Sequence, residues 1–331
     1  MISVRLFAVP ALVALLGAGP VLAQQSLNGM ITGNDVDRIA ELARAHRLRG
    51  FRVPDDFPAG LLLKLRALGL RVEVADGPMF PEREIKTATE AAAIREGNRL
   101  SAVGFTVAEK ILRTARIKGR SLVYQGKPLT SERLRFAIES AILAEGGRPD
   151  DTIVAGGDQA CDPHERGFGP LRPHQLIIID IFPRVVATGY FGDMTRTYLK
   201  GRASEAQRQL CATVKAAHGR AINAVRAGVD GRAVHQEVVA TFDAAGYKTT
   251  HGKNGSTGFF HGTGHGLGLA VHEAPSLSAR VSMPLKKGAV VTIEPGLYYP
   301  GLGGCRVEDV VQVTASGVKM LSRHPYDWEI R

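Results

Sequence analysis

"HGTGHGLGLAVHE", residues His261 to Glu273, is the stretch on which the rest of the chain is read. It places histidines at 261, 265 and 272 and glycines at 262, 264, 266 and 268. On a helix that histidine spacing would line the imidazoles up on one face. Each interior glycine costs about 1 kcal/mol relative to alanine in a helix, so four of them argue against one. Extended or looped backbone fits better, with glycine admitting a second backbone or a ligand at close range. A glycine-rich surface turn with incidental histidines is the plain alternative. Three imidazoles in one such segment favour a site, because imidazole is the commonest neutral metal ligand and a general acid or base near neutral pH.

Working outward, four acids fall where strands normally hold apolar residues. Asp180 ends "LIIID", Asp193 sits in "GYFGDMTRT", Glu294 follows "AVVTI", and Glu308 sits in "CRVEDVV". A lone acid there could be a capped or paired structural residue. Four of them, with a glycine-flanked histidine, ask for more. Buried carboxylates close together repel and take up protons unless a cation neutralises them. Two divalent metals would do so. Oxygen-rich ligation with one imidazole suits a hard or borderline ion such as Mn²⁺ better than a thiolate-selected one.

On these residues the chain resembles the pita-bread (M24-type) metallopeptidases, the family of methionine aminopeptidase, aminopeptidase P and prolidase. "HGTGHGLGLAVHE" is similar to the Xaa-Pro form of the family's histidine motif, and "GYFGDMTRT", "TIEPGLYY" and "RVED" match the other metal motifs in order. The resemblance covers about residues 82–331. It implies an α+β fold with an antiparallel sheet, helices and two pseudo-two-fold halves. It also implies Asp180, Asp193, His265, Glu294 and Glu308 as ligands of two divalent ions, Mn²⁺ ahead of Co²⁺ or Zn²⁺. Asp193 and Glu308 would bridge, Asp180 would complete one ion, and His265 with Glu294 the other. Glu294 would move the water proton to the leaving amine, His272 would donate to the oxyanion, and His261 would contact the residue after the scissile bond. His164, in "CDPHERG", matches another substrate-site histidine more loosely, against the reading of a surface residue. Arg306 is expected to hold Glu308 or Asp309, and Arg196 to be a strand-edge cation. The implied activity is hydrolysis of an Xaa-Pro bond in dipeptides or at peptide N-termini, with proline second in the substrate. Two rivals stay open: an aminopeptidase without proline preference, and an inactive pita-bread module that binds peptides.

The chain departs from the family in three places. The first ligand is followed by Ile181-Phe182 where an Asp-x-Gly pattern is usual. Thirteen positions separate Asp180 from Asp193, two more than is common. A two-residue extension keeps side-chain parity, because strands alternate with period two. The region before the motifs is also shorter than the usual N-terminal domain.

Composition sets the remaining bounds. The chain has 331 residues, is 44% hydrophobic and 22% charged, and carries a net charge of +10. That is a globular composition. The basic residues are interleaved with acids and form no aromatic-basic stripe, so nucleic acid is not expected as a partner. No Gly-x-Ser-x-Gly, His-Glu-x-x-His or Gly-x-Gly-x-x-Gly element occurs, which removes the serine-hydrolase, zincin and dinucleotide classes. "MISVRLFAVPALVALLGAGPVLA" reads as an export signal cleaved after Ala23, placing the mature protein in the periplasm or outside the cell. No other segment is long and apolar enough to span a bilayer, so no stable membrane association is expected. The family resemblance allows a homodimer. Cys161, Cys211 and Cys305 are no disulfide framework; Cys211 reads as core, and a bridge between Cys161 and Cys305 is conceivable in an exported protein. Beyond the signal, the organisation expected is a short α/β region over 24–81 and a catalytic domain over 82–331.

Overall fold

The computed structural model describes residues 35–77, 79–253 and 255–331. The stretch expected to be an export signal lies outside the described residues. The chain forms two compact units, the first ending at Glu82 and the second spanning Arg83–Arg331. In the first, α1 (Asp35–Ala45) buries Ile39, Ala40 and Ala43 along one stripe. β1 (Gly50–Val53) pairs in parallel with β2 (Arg71–Val74), and α2 (Ala59–Ala67) makes the crossover that parallel neighbours require. Phe51, Val53, Leu65 and Val72 give this unit a small core of its own.

The second unit runs through one order twice: two helices, then antiparallel strands. α3 (Ala88–Thr114) starts at Thr87. The Thr87 hydroxyl accepts from the Glu90 N–H while the Glu90 carboxylate accepts from the Thr87 N–H, so two orphan donors are satisfied at once. α4 (Ser131–Ala144) is capped by Thr130, and the chain turns out of it at Gly146, whose φ is 83°. β3 (Ile153–Gly156), β4 (Ile177–Ile181) and β5 (Met194–Lys200) follow as an antiparallel sheet. Leu100, Phe105, Leu134 and Ile138 of the helices pack on Ile177, Ile179 and Tyr198 of the strands.

In the second half, α5 (Glu205–Ala224) and α6 (Gly231–Ala244) precede the strands. These are β6 (Gly264–Gly266), β7 (Glu273–Leu277), β8 (Val290–Ile293), β9 (Gly296–Tyr299), β10 (Gly303–Arg306) and β11 (Asp309–Val313). β7-β6-β8-β11 form one antiparallel sheet, extended at its edge by Val318–Met320, while β9 and β10 make a separate hairpin. Leu210, Val214, Val238 and Phe242 pack on Val291, Ile293 and Leu297. Two helix pairs laid on antiparallel strands, in duplicate, are the α+β pita-bread arrangement that the motifs imply.

Two strands read as continuous in the sequence are broken. "AVVTIEPGLYY" divides at Glu294-Pro295 into β8 and β9, and "CRVEDVVQVT" divides at Val307-Glu308 into β10 and β11. Pro295 has no N–H to continue a ladder. Of the four acids expected inside strands, only Asp180 lies in one; Asp193 immediately precedes β5, and Glu294 and Glu308 occupy the breaks.

Candidate metal centre

The glycines of the opening stretch are sites of close backbone approach. β6 is sandwiched between β7 and β8. A Cβ on Gly264 would stand 1.9 Å from the Thr292 carbonyl oxygen, and one on Gly266 would stand 2.2 Å from that of Ala274. His265 is therefore carried on a strand pressed between two others. Its N–H donates to Thr292 Oγ1 at 3.0 Å, and its ring faces a cleft of about 1240 Å³.

Three of the four acids, Asp193, Glu294 and Glu308, converge on that ring. Ligand atoms of Asp193, His265 and Glu308 lie within 4.8 Å of one another. His265 Nε2 is 3.1 Å from Glu294 Oε1 and 3.7 Å from Asp193 Oδ2. Asp180 lines the same cleft. It pairs across the sheet with Thr195, and Met194 pairs with Ile181. Continuing that register sets Asp193 opposite Phe182, on the face shared with Asp180, so the long turn preserves parity. The Asp193 N–H donates to Asn98 Oδ1 of α3 at 3.1 Å.

Protonation shows how crowded the cluster is. Burial pushes Asp180, Asp193 and Glu308 above the usual carboxylate range; the Asp180 charge adds to the effect on Asp193, and the Asp193 charge to that on Glu308. Burial acts the same way on Glu294, but the hydrogen bond and charge of His265 outweigh it and hold Glu294 at about 2. For His265 burial is outweighed by the hydrogen bond and charge of Glu294, and its pKa rises to about 9. Carboxylates packed this closely favour bound protons unless a cation neutralises them. Asp180 Oδ1 is buried with no hydrogen-bond partner. A buried acceptor left open, in an oxygen set with one imidazole, fits a hard or borderline divalent ion.

The remaining sequence candidates surround this cluster. His272 lies edge-on to His265 with ring centroids 4.3 Å apart, and burial followed by the His265 charge lowers its pKa. His261 accepts or donates at Nε2 to the Tyr298 hydroxyl at 2.8 Å, and burial drives its pKa down to about 4, so its ring is neutral. His164 is exposed on the cleft wall. Arg306 corrects its expected role: Nη2 donates to Asp180 Oδ2 at 2.8 Å, Nη1 to the Tyr298 hydroxyl at 3.1 Å and Nε to Thr195 Oγ1 at 3.3 Å. Glu308 lies only two residues further along the chain, yet the guanidinium is committed to Asp180 of β4. Arg196 is not an edge cation. It is 2% exposed and bonds Asp309.

Two residues at the site were missed by the sequence reading. Tyr298 bridges His261 and Arg306, and burial raises its hydroxyl to about 12. His235 of α6 reaches the cleft and bonds Thr263 Oγ1 through Nδ1 at 3.0 Å. Tyr298 could have been found from its place in "EPGLYY", four residues past a ligand candidate; a histidine in a regular helix gives no such signal. The cysteines are all free, and Cys305 meets Cys211 rather than Cys161: their thiols share a hydrogen bond.

A buried carboxylate cluster with one histidine, set in a duplicated pita-bread fold, defines a metallohydrolase class. Comparison with known proteins agrees. The profile of metallopeptidase family M24 matches residues 92–315. A probable dipeptidase PepE of Mycobacterium bovis is 32% identical over 283 residues, covering 83% of this chain and 68% of that protein. An Xaa-Pro dipeptidase of Pyrococcus furiosus is 34% identical over 184 residues, 52% of this chain and 47% of that one. The solved structure of an Xaa-Pro dipeptidase from Bacillus anthracis superposes with a TM-score of 0.77 at 25% identity, covering 91% of this chain and 80% of that one. The chain belongs to metallopeptidase family M24, and it is a metal-dependent peptidase.

Proposed function

We propose that the protein is an exopeptidase that hydrolyses Xaa-Pro bonds, dipeptides foremost, with two divalent ions held by Asp180, Asp193, His265, Glu294 and Glu308. The observation that carries this reading is the convergence of Asp193, His265 and Glu308 within 4.8 Å, with Glu294 against the same imidazole. By the family resemblance Asp193 and Glu308 would serve both ions, and the oxygen-rich donor set would favour Mn²⁺. When bound, such a pair supplies the Lewis acidity that makes hydroxide available near neutral pH and polarises the scissile carbonyl. The protein's own groups do the rest. Glu294 takes the proton of the attacking water and passes it to the leaving nitrogen. His272, exposed beside His265, donates to the oxygen that gains charge. His261, held neutral and fixed by Tyr298, borders the space for the residue after the scissile bond. Arg306 holds Asp180 in place. His164 lines the rim.

The dipeptide preference draws support from the relatives named above and from the cleft itself. Arg166, Arg280, His164 and His251 line it, and Asp151 is the acid outside the ligand set. Asp151 is already paired with Arg166 at 3.1 Å. Arg280, which lines the cleft outside that pair, is a cation suited to a free C-terminal carboxylate.

The test is to strip the protein of metal, titrate back Mn²⁺, Co²⁺ or Zn²⁺, and assay Xaa-Pro dipeptides, tripeptides and longer peptides. Metal-restored cleavage confined to dipeptides is the expected result. Cleavage of longer chains would reassign the protein as an aminopeptidase. No turnover with any metal, from folded protein, would overturn the enzymatic reading.

A further inference from the structure

Glu308 sits between β10, which ends at Arg306, and β11, which begins at Asp309, so the sheet ladders do not fix it. Its backbone groups must find partners elsewhere. They find them on β5. The Glu308 N–H donates to the Thr195 carbonyl at 3.1 Å, the Glu308 carbonyl accepts from Arg196 Nη1 at 2.6 Å, and Glu308 Oε2 accepts from Thr195 Oγ1 at 2.8 Å. Main chain and side chain of one candidate ligand are thus both held by two consecutive residues.

Arg196 spends every donor it has on this corner. Nη1 also donates to the Thr195 carbonyl at 2.9 Å, Nη2 donates to Asp309 Oδ1 at 3.0 Å and to the His324 carbonyl at 2.9 Å, and Nε donates to the Pro325 carbonyl at 3.1 Å. A guanidinium offers five N–H groups, and all five are used. Asp309 is equally committed. Ser322 Oγ donates to Oδ1 at 2.7 Å, the Tyr326 hydroxyl donates to Oδ2 at 2.7 Å, and His218 Nε2 lies 3.2 Å from Oδ2. The side chains of the pair are 3% and 1% exposed. A buried ion pair is weak as a source of stability, because desolvation offsets the attraction and apolar residues of the same volume often serve as well. What it provides here is a fixed geometry at Glu308.

We infer that the Arg196–Asp309 pair is a positioning device for Glu308: it sets the carboxylate where both metal ions can share it. The pair itself touches neither substrate nor reacting atoms. The inference rests on the two-ion reading given above. A lysine at 196 keeps the charge but has three donors on one nitrogen and cannot reach four carbonyls and a carboxylate together.

The experiment compares metal-free wild type, Arg196→Lys and Val238→Ala. Val238 is a fully buried residue of α6 whose truncation costs core packing without removing a polar partner of Glu308. Each is titrated with Mn²⁺ by calorimetry, and the loaded forms are read by electron paramagnetic resonance for a magnetically coupled Mn²⁺ pair. Expected for Arg196→Lys are a roughly 10- to 100-fold loss of affinity for one ion, a weakened coupling signal, and a fall in kcat with little change in KM. Val238→Ala should melt earlier yet bind Mn²⁺ as wild type does. Wild-type affinity and coupling in Arg196→Lys, or equal losses in Val238→Ala, would overturn the positioning role alone. Wild type that fails to take two ions would overturn the two-ion reading and this inference with it.

Discussion

Glu294 owes its ionised state to one neighbour. His265 stands 3.1 Å away and holds the carboxylate near 2 against the pull of burial. Replacing it by glutamine keeps its shape and removes both a ligand oxygen of full charge and the proton carrier. At saturating Mn²⁺, Glu294→Gln is expected to lose about 10²- to 10⁴-fold in kcat/KM on an Xaa-Pro dipeptide, the range for a lost general acid–base group. Metal content measured on the same sample separates chemistry from occupancy; near wild-type turnover would remove Glu294 from the proton path. At this scale the candidate ligands were legible because each acid interrupts an apolar run, a local signal. Their partners were not. Arg306 lies two residues from Glu308 but bonds Asp180, 126 positions away. That partner comes from a strand brought alongside by the fold, and nothing local in the sequence marks it.

Elements fix where these residues stand, and the tightest point is the seam between β6 and β8. A Cβ at Gly264 would need the space of the Thr292 carbonyl. Backbone cannot step aside as a flexible side chain can. Gly264→Ala should therefore cost about 4 kcal/mol or more, at the exceptional end for a point substitution. It should also weaken Mn²⁺ binding, because His265 is the next residue. Thr87→Ala offers the contrast. It removes the cap of α3, should cost about 1 kcal/mol, and should leave Mn²⁺ affinity alone. Chemical denaturation and metal titration of both variants check the pair; a mild Gly264→Ala would contradict the close approach. The helices were readable because caps and apolar periodicity act within a few residues, as Thr87 and Glu90 show. The strand breaks were less so. Pro295 was the visible clue to one, while Val307-Glu308 carries no breaker and parts only because Glu308 turns to β5.

Across the whole molecule the carboxylate cluster couples folding, pH and metal. Without metal, the native state keeps protons that the unfolded chain would release. His265 is held at about 9 against an ordinary 6.5, so its contribution to stability is complete below 6.5 and is lost as pH rises through about 9. That gap corresponds to about 3 kcal/mol as an upper figure. Asp193 and Glu308, raised well above 3.8 and 4.5, act in the same direction: once their unfolded counterparts ionise, each further rise in pH favours unfolding until the native groups ionise too. Stability must fall with pH wherever the native state binds more protons than the unfolded one. The chelated protein should therefore show a falling melting temperature between pH 6.5 and pH 9, and Mn²⁺, taking the place of those protons, should flatten the decline. Apparent Mn²⁺ affinity should rise about tenfold per pH step for each proton displaced. Thermal melts with and without chelator, and calorimetric titrations in two buffers of different ionisation enthalpy, measure both effects. A chelated protein that grows more stable over this range would mean that the cluster does not hold protons in the cation's place.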